Sequence, residues 1–350
     1  LACRRHFVLN NKLEKITLNP QAHLYGVSGD LWVLSQAHME GLGVSYTQIL
    51  KVVERALISL RRGDSHNPLK TVVEPANKHS IGYSMVGRDS SSDTMGFKVV
   101  YEFDPQRTRG YYRFHSFIFL CDDKTGEPIA LMDVVKLGPL RTSATSALMA
   151  RAASPDARSA LVVGTGGQGQ AALPMLLAAL PNLERLMVFG QYQAGLCAVQ
   201  NEVARLYPGR KVEIATDLQR ASSEADIVIG ASGLSAKQHV RHAWLKPGSV
   251  AVLLGYGIHA DVLHLSNYRI ATDTAQMHVT CGDLAAPDGS IPEVEAELPD
   301  ILLGTTQARR TTSDIVFAYN SGMVVTDIAL GRYVADLALC ANRGVRVSLW

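Results

Sequence analysis

The sequence predicts an α/β protein in which a doubly wound parallel sheet is joined to an α+β domain. From residue 159 to residue 273, short and wholly apolar runs alternate with helical segments. Strands covered on both faces of a parallel sheet read this way. Before residue 141, strand-like runs follow one another with no helices between them, as in a mixed α+β unit. At 350 residues the chain is long enough for two domains, each with its own core. These shifts divide it into one domain formed by residues 1–140 together with 318–350, and a second formed by residues 141–317.

The first 29 residues show no periodicity and read as an extension. "LWVLS" (31–35) is a short strand, with Ser35 as the cap of the helix after it. In 45–63 the apolar residues Ile49, Val52, Val53, Ala56, Leu57 and Leu60 recur at helical spacing, and Gly63 ends the helix. Strands are expected at 69–73, 96–103, 114–120 and 128–134, with "GRDSSSD" and "DDKTGEP" as turns. "TSATSALMARAA" (142–153) is a helix of small residues, broken at Pro155. The parallel strands follow in "SALVVG", "RLMVFG", "KVEIA", "ADIVIGAS", "SVAVLLG" and "YRIATD". Residues 320–344 read as one long amphipathic helix, and "VRVSLW" as a closing strand.

Composition narrows the function. The net charge is +2 and basic residues are dispersed, which argues against a nucleic-acid partner. No apolar run approaches the roughly 18 residues of a membrane span. The opening residues lack the apolar core of a secretory signal. Five cysteines without a CxxC pair point away from a disulfide scaffold or structural zinc, and no metal motif is present. A cytoplasmic location with reduced thiols is expected.

"LVVGTGGQGQA" (161–171) places Gly164-x-Gly166-x-x-Gly169 directly after an apolar strand and at the start of a helix. That context marks a dinucleotide site. The first glycine makes a tight turn, the second lets a pyrophosphate approach, and the third packs helix against strand. Gly164, Thr165, Gly166, Gly167, Gln168 and Gly169 form the phosphate loop, while Gln191, Ser232, Leu254 and Gly255 stand at the ends of neighbouring strands. The second domain is therefore of Rossmann type. After "LMVF" the chain carries Gly190 and Gln191, without the acid that holds the ribose 2′-hydroxyl of NAD. This permits either NAD or NADP and leans to NADP.

Three cations lie upstream. Lys98 sits inside an apolar strand, Lys70 occupies a similar place, and Arg141 opens the small-residue helix, where free N–H groups also favour an anion. Taken singly, each cation is more often a solvated surface residue, with Lys98 nearer an even choice. With the glycine loop, the motifs "PLK", "GFK", "LRTSATSALMAR", "VVGTGGQGQ" and "NSGMVVTDIALGRYV" resemble the ornithine cyclodeaminase/μ-crystallin family over residues 31–350. The resemblance implies a substrate domain that also forms a homodimer. It also implies an α-carboxylate of an amino or imino acid held by Lys70, Lys98 and Arg141, with Lys98 and Arg141 as the catalytic pair. Ser116 and Asn320 match positions that touch the cofactor in the family, and Asp327 matches a feature read as structural. His115 reads more readily as a structural histidine than as a neighbour of the nicotinamide. The layout is most similar to the branch that makes 2,3-diaminopropionate for siderophores by oxidising N-(2-amino-2-carboxyethyl)glutamate.

One position departs from the pattern. Ornithine-cyclising members carry an aspartate where "LLGYGIHAD" has Gly257, and the nearest substitutes are His259 and Asp261. Three readings follow: an NAD(P)-dependent oxidoreductase at a carbon–nitrogen bond, a redox-neutral cyclodeaminase relying on His259 or Asp261, and a binding protein without catalysis.

Overall fold

The computed structural model describes residues 30–76, 79–103, 113–234 and 236–348. The extension expected at 1–29 lies outside them. β1 (Asp30–Leu34) runs into α1 (Gln36–Met39), capped by Ser35, and then α2 (Tyr46–Arg61), capped by Ser45. There follow β2 (Thr71–Val73), β3 (Ser80–Asp89), β4 (Thr94–Phe103), β5 (Arg113–Asp122), β6 (Pro128–Asp133) and α3 (Leu137–Ala153). The alternating part comprises β7 (Ser159–Val163), α4 (Gly167–Ala179), β8 (Arg185–Phe189), α5 (Gln193–Leu206), β9 (Val212–Ile214) and α6 (Leu218–Glu224). It continues through β10 (Ile227–Gly230), β11 (Val250–Leu253), α7 (Ala260–Leu265), β12 (Tyr268–Ala271) and α8 (Thr274–Thr280). β13 (Ala296–Glu297), α9 (Leu298–Leu303), β14 (Val316–Tyr319), α10 (Val324–Cys340) and β15 (Val345–Ser348) complete the chain.

Two sheets result. The first has the order β15-β1-β6-β5-β4-β3-β2 and is largely antiparallel; the second, β13-β12-β14-β11-β10-β7-β8-β9, is parallel throughout. Its order reverses between β7 and β10, which opens a crevice at the carboxyl ends of those strands. A continuous apolar core joins the sheets. Ile118, Leu120 and Met132 of the first share it with Val162, Ile229 and Val252 of the second, through α2, α3, α4 and α10.

Two differences from the sequence reading have physical causes. β3, "SIGYSMVGRD", mixes serine and glycine without alternation, and no strand is expected there. It forms because its full length pairs with β4, from Ser80↔Phe103 to Asp89↔Thr94. Gly87 within it lies under α10, where a Cβ would come 2.8 Å from Val324 Cγ1. The helix expected over 320–344 starts at Val324, after Gly322 turns with φ +68°, and it is buried almost all round in its first two turns instead of amphipathic. It is a core helix, wedged against β3, β4 and β5 on one side and α2 and α3 on the other.

Candidate active site

The three glycines of the loop differ in what a side chain would meet. At Gly164 (φ +127°) a Cβ would lie 2.4 Å from the Ala231 carbonyl oxygen, and at Gly169 it would lie 2.1 Å from that of Gly164. At Gly166 it would meet nothing within 4 Å. Two glycines therefore pack backbone on backbone, while the second leaves open surface before the N-terminus of α4. Gly166 caps that helix without a side-chain hydrogen bond, so its first N–H groups are available to phosphate oxygens. Gln168 adds a buried Oε1 without a partner among the described residues. A cleft of about 320 Å³ runs from this loop past Gly190, Gln191 and Tyr192 to Ser232 and Lys237. Open surface, free N–H groups and an orphaned acceptor together fit a dinucleotide. Lys237 was not singled out in the sequence, because nothing local marks an exposed lysine as facing a cleft.

The cations converge, but around a carboxylate. Asp327 on α10 accepts at Oδ1 from Lys98 Nζ (2.7 Å) and from Arg141 Nε (2.9 Å). Lys98 and Asp327 are both buried. Lys70 Nζ donates to the Ser321 carbonyl at 2.7 Å, and Gly322 lies against the Arg141 fork, where a Cβ would be 2.8 Å from Nη1. Burial pushes Lys98 below the ordinary lysine range against the pull of Asp327, and Arg141 pushes the same way as burial. Burial would raise the Asp327 carboxyl, but Arg141 and Lys98 outweigh it and hold it below its ordinary value. Burial, then Arg141, brings Lys70 down to about 8.

This geometry corrects two readings. Arg141 does not open its helix: α3 begins at Leu137, so Arg141 lies a turn inside and acts through its guanidinium. Asp327, read from the sequence as structural, is central to the cluster and meets part of its positive charge from within the chain. An aspartate among the apolar residues of "VVTDIAL" was the available signal. Three cations against one carboxylate still leave two positive charges, and among the described residues no acceptor meets the Arg141 Nη1 or Nη2 atoms.

The other expected residues divide. Asn320 is buried, with Nδ2 donating to the Thr142 carbonyl and to Ser146 Oγ, and Oδ1 accepting from Gly322 N; its polar atoms pin the β14–α10 turn to α3. Ser116 lies on the covered face of β5, the face that carries Lys98 on β4. His115 is exposed on the opposite face. Past β11, Leu254 and Gly255 donate to the Gly230 carbonyl, and Tyr256 and Ser232 exchange two backbone hydrogen bonds that close the mouth of the strand. Leu254, Gly255 and His259 border a second hollow of about 330 Å³, with Tyr256, Thr280, Asp283 and Tyr319.

Neither substitute for the missing aspartate is free. Asp261 lies 3.6 Å from Arg241 Nη1 and accepts from His242 N at 3.3 Å. His259 caps α7, its Nδ1 accepting from Asp261 N, with Arg241 Nη1 3.0 Å away. Gly257 has φ +104°, and a Cβ there would lie 3.0 Å from Ser232 Oγ and from Val163 Cγ1. A side chain at this position would therefore press on Ser232 and Val163, which line the nucleotide crevice.

The ornithine cyclodeaminase/mu-crystallin family matches residues 31–342. The nodulation efficiency protein NfeD of Rhizobium meliloti is 27% identical over 319 residues, covering 90% of this chain and 98% of that protein. A Δ1-pyrroline-2-carboxylate reductase of Bacillus cereus is 23% identical over 317 residues, covering 87% and 96%. Among solved structures, the Δ1-pyrroline-2-carboxylate reductase of Thermococcus litoralis, in complex with NADH and L-proline, superposes with a TM-score of 0.78 at 21% identity, covering 91% of this chain and all of that one.

Proposed function

The chain belongs to the ornithine cyclodeaminase/mu-crystallin family, and from that premise we propose that it is an NAD(P)-dependent oxidoreductase acting at the carbon–nitrogen bond of an amino or imino acid. The observation that carries this reading is the cluster of Lys70, Lys98 and Arg141 around Asp327, with a net charge of +2 beside a dinucleotide crevice. The free fork of Arg141 matches a carboxylate in two-pronged fashion, and Lys70 adds a second positive charge. The cofactor supplies hydride transfer between nicotinamide C4 and the substrate α-carbon. The glycine loop holds its phosphates, Arg141 and Lys70 orient the acid, and Lys98 holds a proton at Nζ that can pass to the substrate nitrogen.

Of the reactions that fit, reduction of an imino acid has the most support, because relatives at full length carry that activity. Redox-neutral cyclodeamination is disfavoured, since position 257 holds no acid and its φ of +104° strains any side chain there, while Asp261 is already paired. For the cofactor we favour NADP: no acid stands at Gln191, and Lys237 lines the same cleft as a counter-charge for a 2′-phosphate. A homodimer is supported by the open face of the first sheet, where Val86, Phe97, Tyr101 and Phe117 are exposed side by side. No helix among the described residues is long and apolar enough to cross a membrane, and the four described cysteines are free thiols, which suits the cytoplasm.

Absorbance at 340 nm tests the reading. With Δ1-pyrroline-2-carboxylate, NADPH or NADH should be consumed, and L-proline should drive the reverse reaction at high pH. Formation of NAD(P)H from N-(2-amino-2-carboxyethyl)glutamate would move the assignment to the diaminopropionate-forming branch. Conversion of ornithine with no net change in absorbance would overturn it.

A further inference from the structure

Asp327 has a second oxygen, and nothing in the reading above uses it. Oδ1 takes both cations, while Oδ2 is buried and has no partner among the described residues. An unsatisfied buried acceptor is destabilising, and more so when it is charged. Such groups in a native protein call for an explanation. Lys98 and Arg141 fix the carboxylate from two elements, β4 and α3, so Oδ2 has little freedom to turn towards another donor. What Oδ2 lacks is an N–H or O–H donor.

We propose that Asp327 Oδ2 is the acceptor for the N–H of the substrate nitrogen, and so sets the substrate class as 2-imino and 2-amino acids against 2-oxo acids. The inference rests on the proposed carboxylate site at Arg141 and Lys70. An acid held there by its carboxylate carries its α-nitrogen two bonds away, within reach of a carboxylate that already touches Arg141. An iminium or ammonium nitrogen brings both the hydrogen and a positive charge, which strengthens the bond. A carbonyl oxygen in the same place brings neither; it sets a lone pair against Oδ2 and leaves the acceptor unsatisfied. Sites built to receive a hydrogen bond reject analogues lacking the donor far more strongly than apolar pockets reject a change of size.

Two inert planar acids of nearly equal shape separate the possibilities: pyrrole-2-carboxylate, which has a ring N–H, and furan-2-carboxylate, which has a ring oxygen. Both are titrated calorimetrically into the full chain saturated with NADPH, or with NADH if that is the cofactor bound. The expected result is at least tenfold tighter binding of the pyrrole acid. In Asp327→Asn, Lys98 and Arg141 keep the amide oxygen at the Oδ1 position and set the NH2 group where Oδ2 stood, so the ratio should fall to one or below. The wild-type ratio stands as a test even if that variant does not fold. Equal binding of the two acids by the wild type would overturn the role of Oδ2 and leave the carboxylate site standing. Failure of both to bind, with the cofactor still held, would remove the carboxylate site and this inference with it.

Discussion

Lys98 and Asp327, 229 residues apart in the chain, meet in a buried ion pair of 2.7 Å where the first sheet is covered by α10. Burying two charges is favourable only when each is compensated, and here Arg141 adds a second positive partner at the same carboxylate oxygen, Oδ1. Fold and chemistry therefore share one contact: α10 is held on the sheet by the groups that make the site positive.

Replacing Lys98 separates those two duties. Lys98→Met leaves Asp327 paired with Arg141, so the protein should fold, at a loss of about 3 kcal/mol, the low end for a broken buried pair. Turnover should drop by roughly 10²–10⁴, the range for a lost acid–base group. NAD(P)H affinity, followed by fluorescence, should be unchanged because the glycine loop is untouched. Near-normal turnover would remove Lys98 from the chemistry.

Lys70 should set the alkaline limit. With its pKa lowered to about 8, it is half neutral there, and the neutral amine no longer attracts a carboxylate. KM for the acid should climb up to tenfold per pH unit above about 8, while kcat changes less. Lys70→Arg should flatten this rise, since arginine stays charged. The sign for stability is opposite. In the folded state Lys70 gives up its proton earlier than in the unfolded chain, so its contribution improves as pH rises from about 8 towards 10.5 and is lost as pH falls back through 8. A Tm series of wild type against Lys70→Arg across that window would show it.

Much of this was legible in the sequence because it is local. The glycine loop, the Ser35 cap and the apolar parallel strands each depend on a few neighbouring residues, and each stands where expected. What could not be read depends on partners far along the chain. β3 takes its identity from β4, and the first two turns of α10 are buried all round because α2, α3 and the first sheet close on the helix. The three cations were visible singly, whereas their counter-ion was not, since no periodicity links Asp327 to Lys98 or Arg141. The short stretch Asn320–Gly322 was hidden within an expected helix, although Ser321 and Gly322 contact two of the cations.

The loop glycines offer a paired test of structure against binding. Gly166→Ala places its methyl in open space on extended backbone, so stability should stay within about 0.5 kcal/mol. The same methyl would stand where phosphate oxygens approach, and the NAD(P)H Kd should rise about tenfold, equivalent to 1.4 kcal/mol. Gly169→Ala should do the reverse in order of severity. Its Cβ would lie 2.1 Å from a backbone oxygen that cannot move independently, and a loss of about 1–3 kcal/mol is expected from overpacking. Tm and a nucleotide titration on both variants check the contrast.

Restoring the aspartate at the β11 mouth should not restore cyclisation. Gly257→Asp must hold an L residue at φ +104°, a strain of about 1–3 kcal/mol, with its Cβ 3.0 Å from Ser232 Oγ and Val163 Cγ1. Relief shifts Ser232 and Val163, which both line the nucleotide cleft, so the variant should lose both Tm and cofactor affinity. Ornithine should remain unconverted, because a side chain crowded by Ser232 and Val163 on strained backbone is not held in one place from which to act as a base. Redox-neutral release of ammonia from ornithine by this variant, measured with a coupled assay, would show that the mouth can reshape and that Gly257 alone had blocked the reaction.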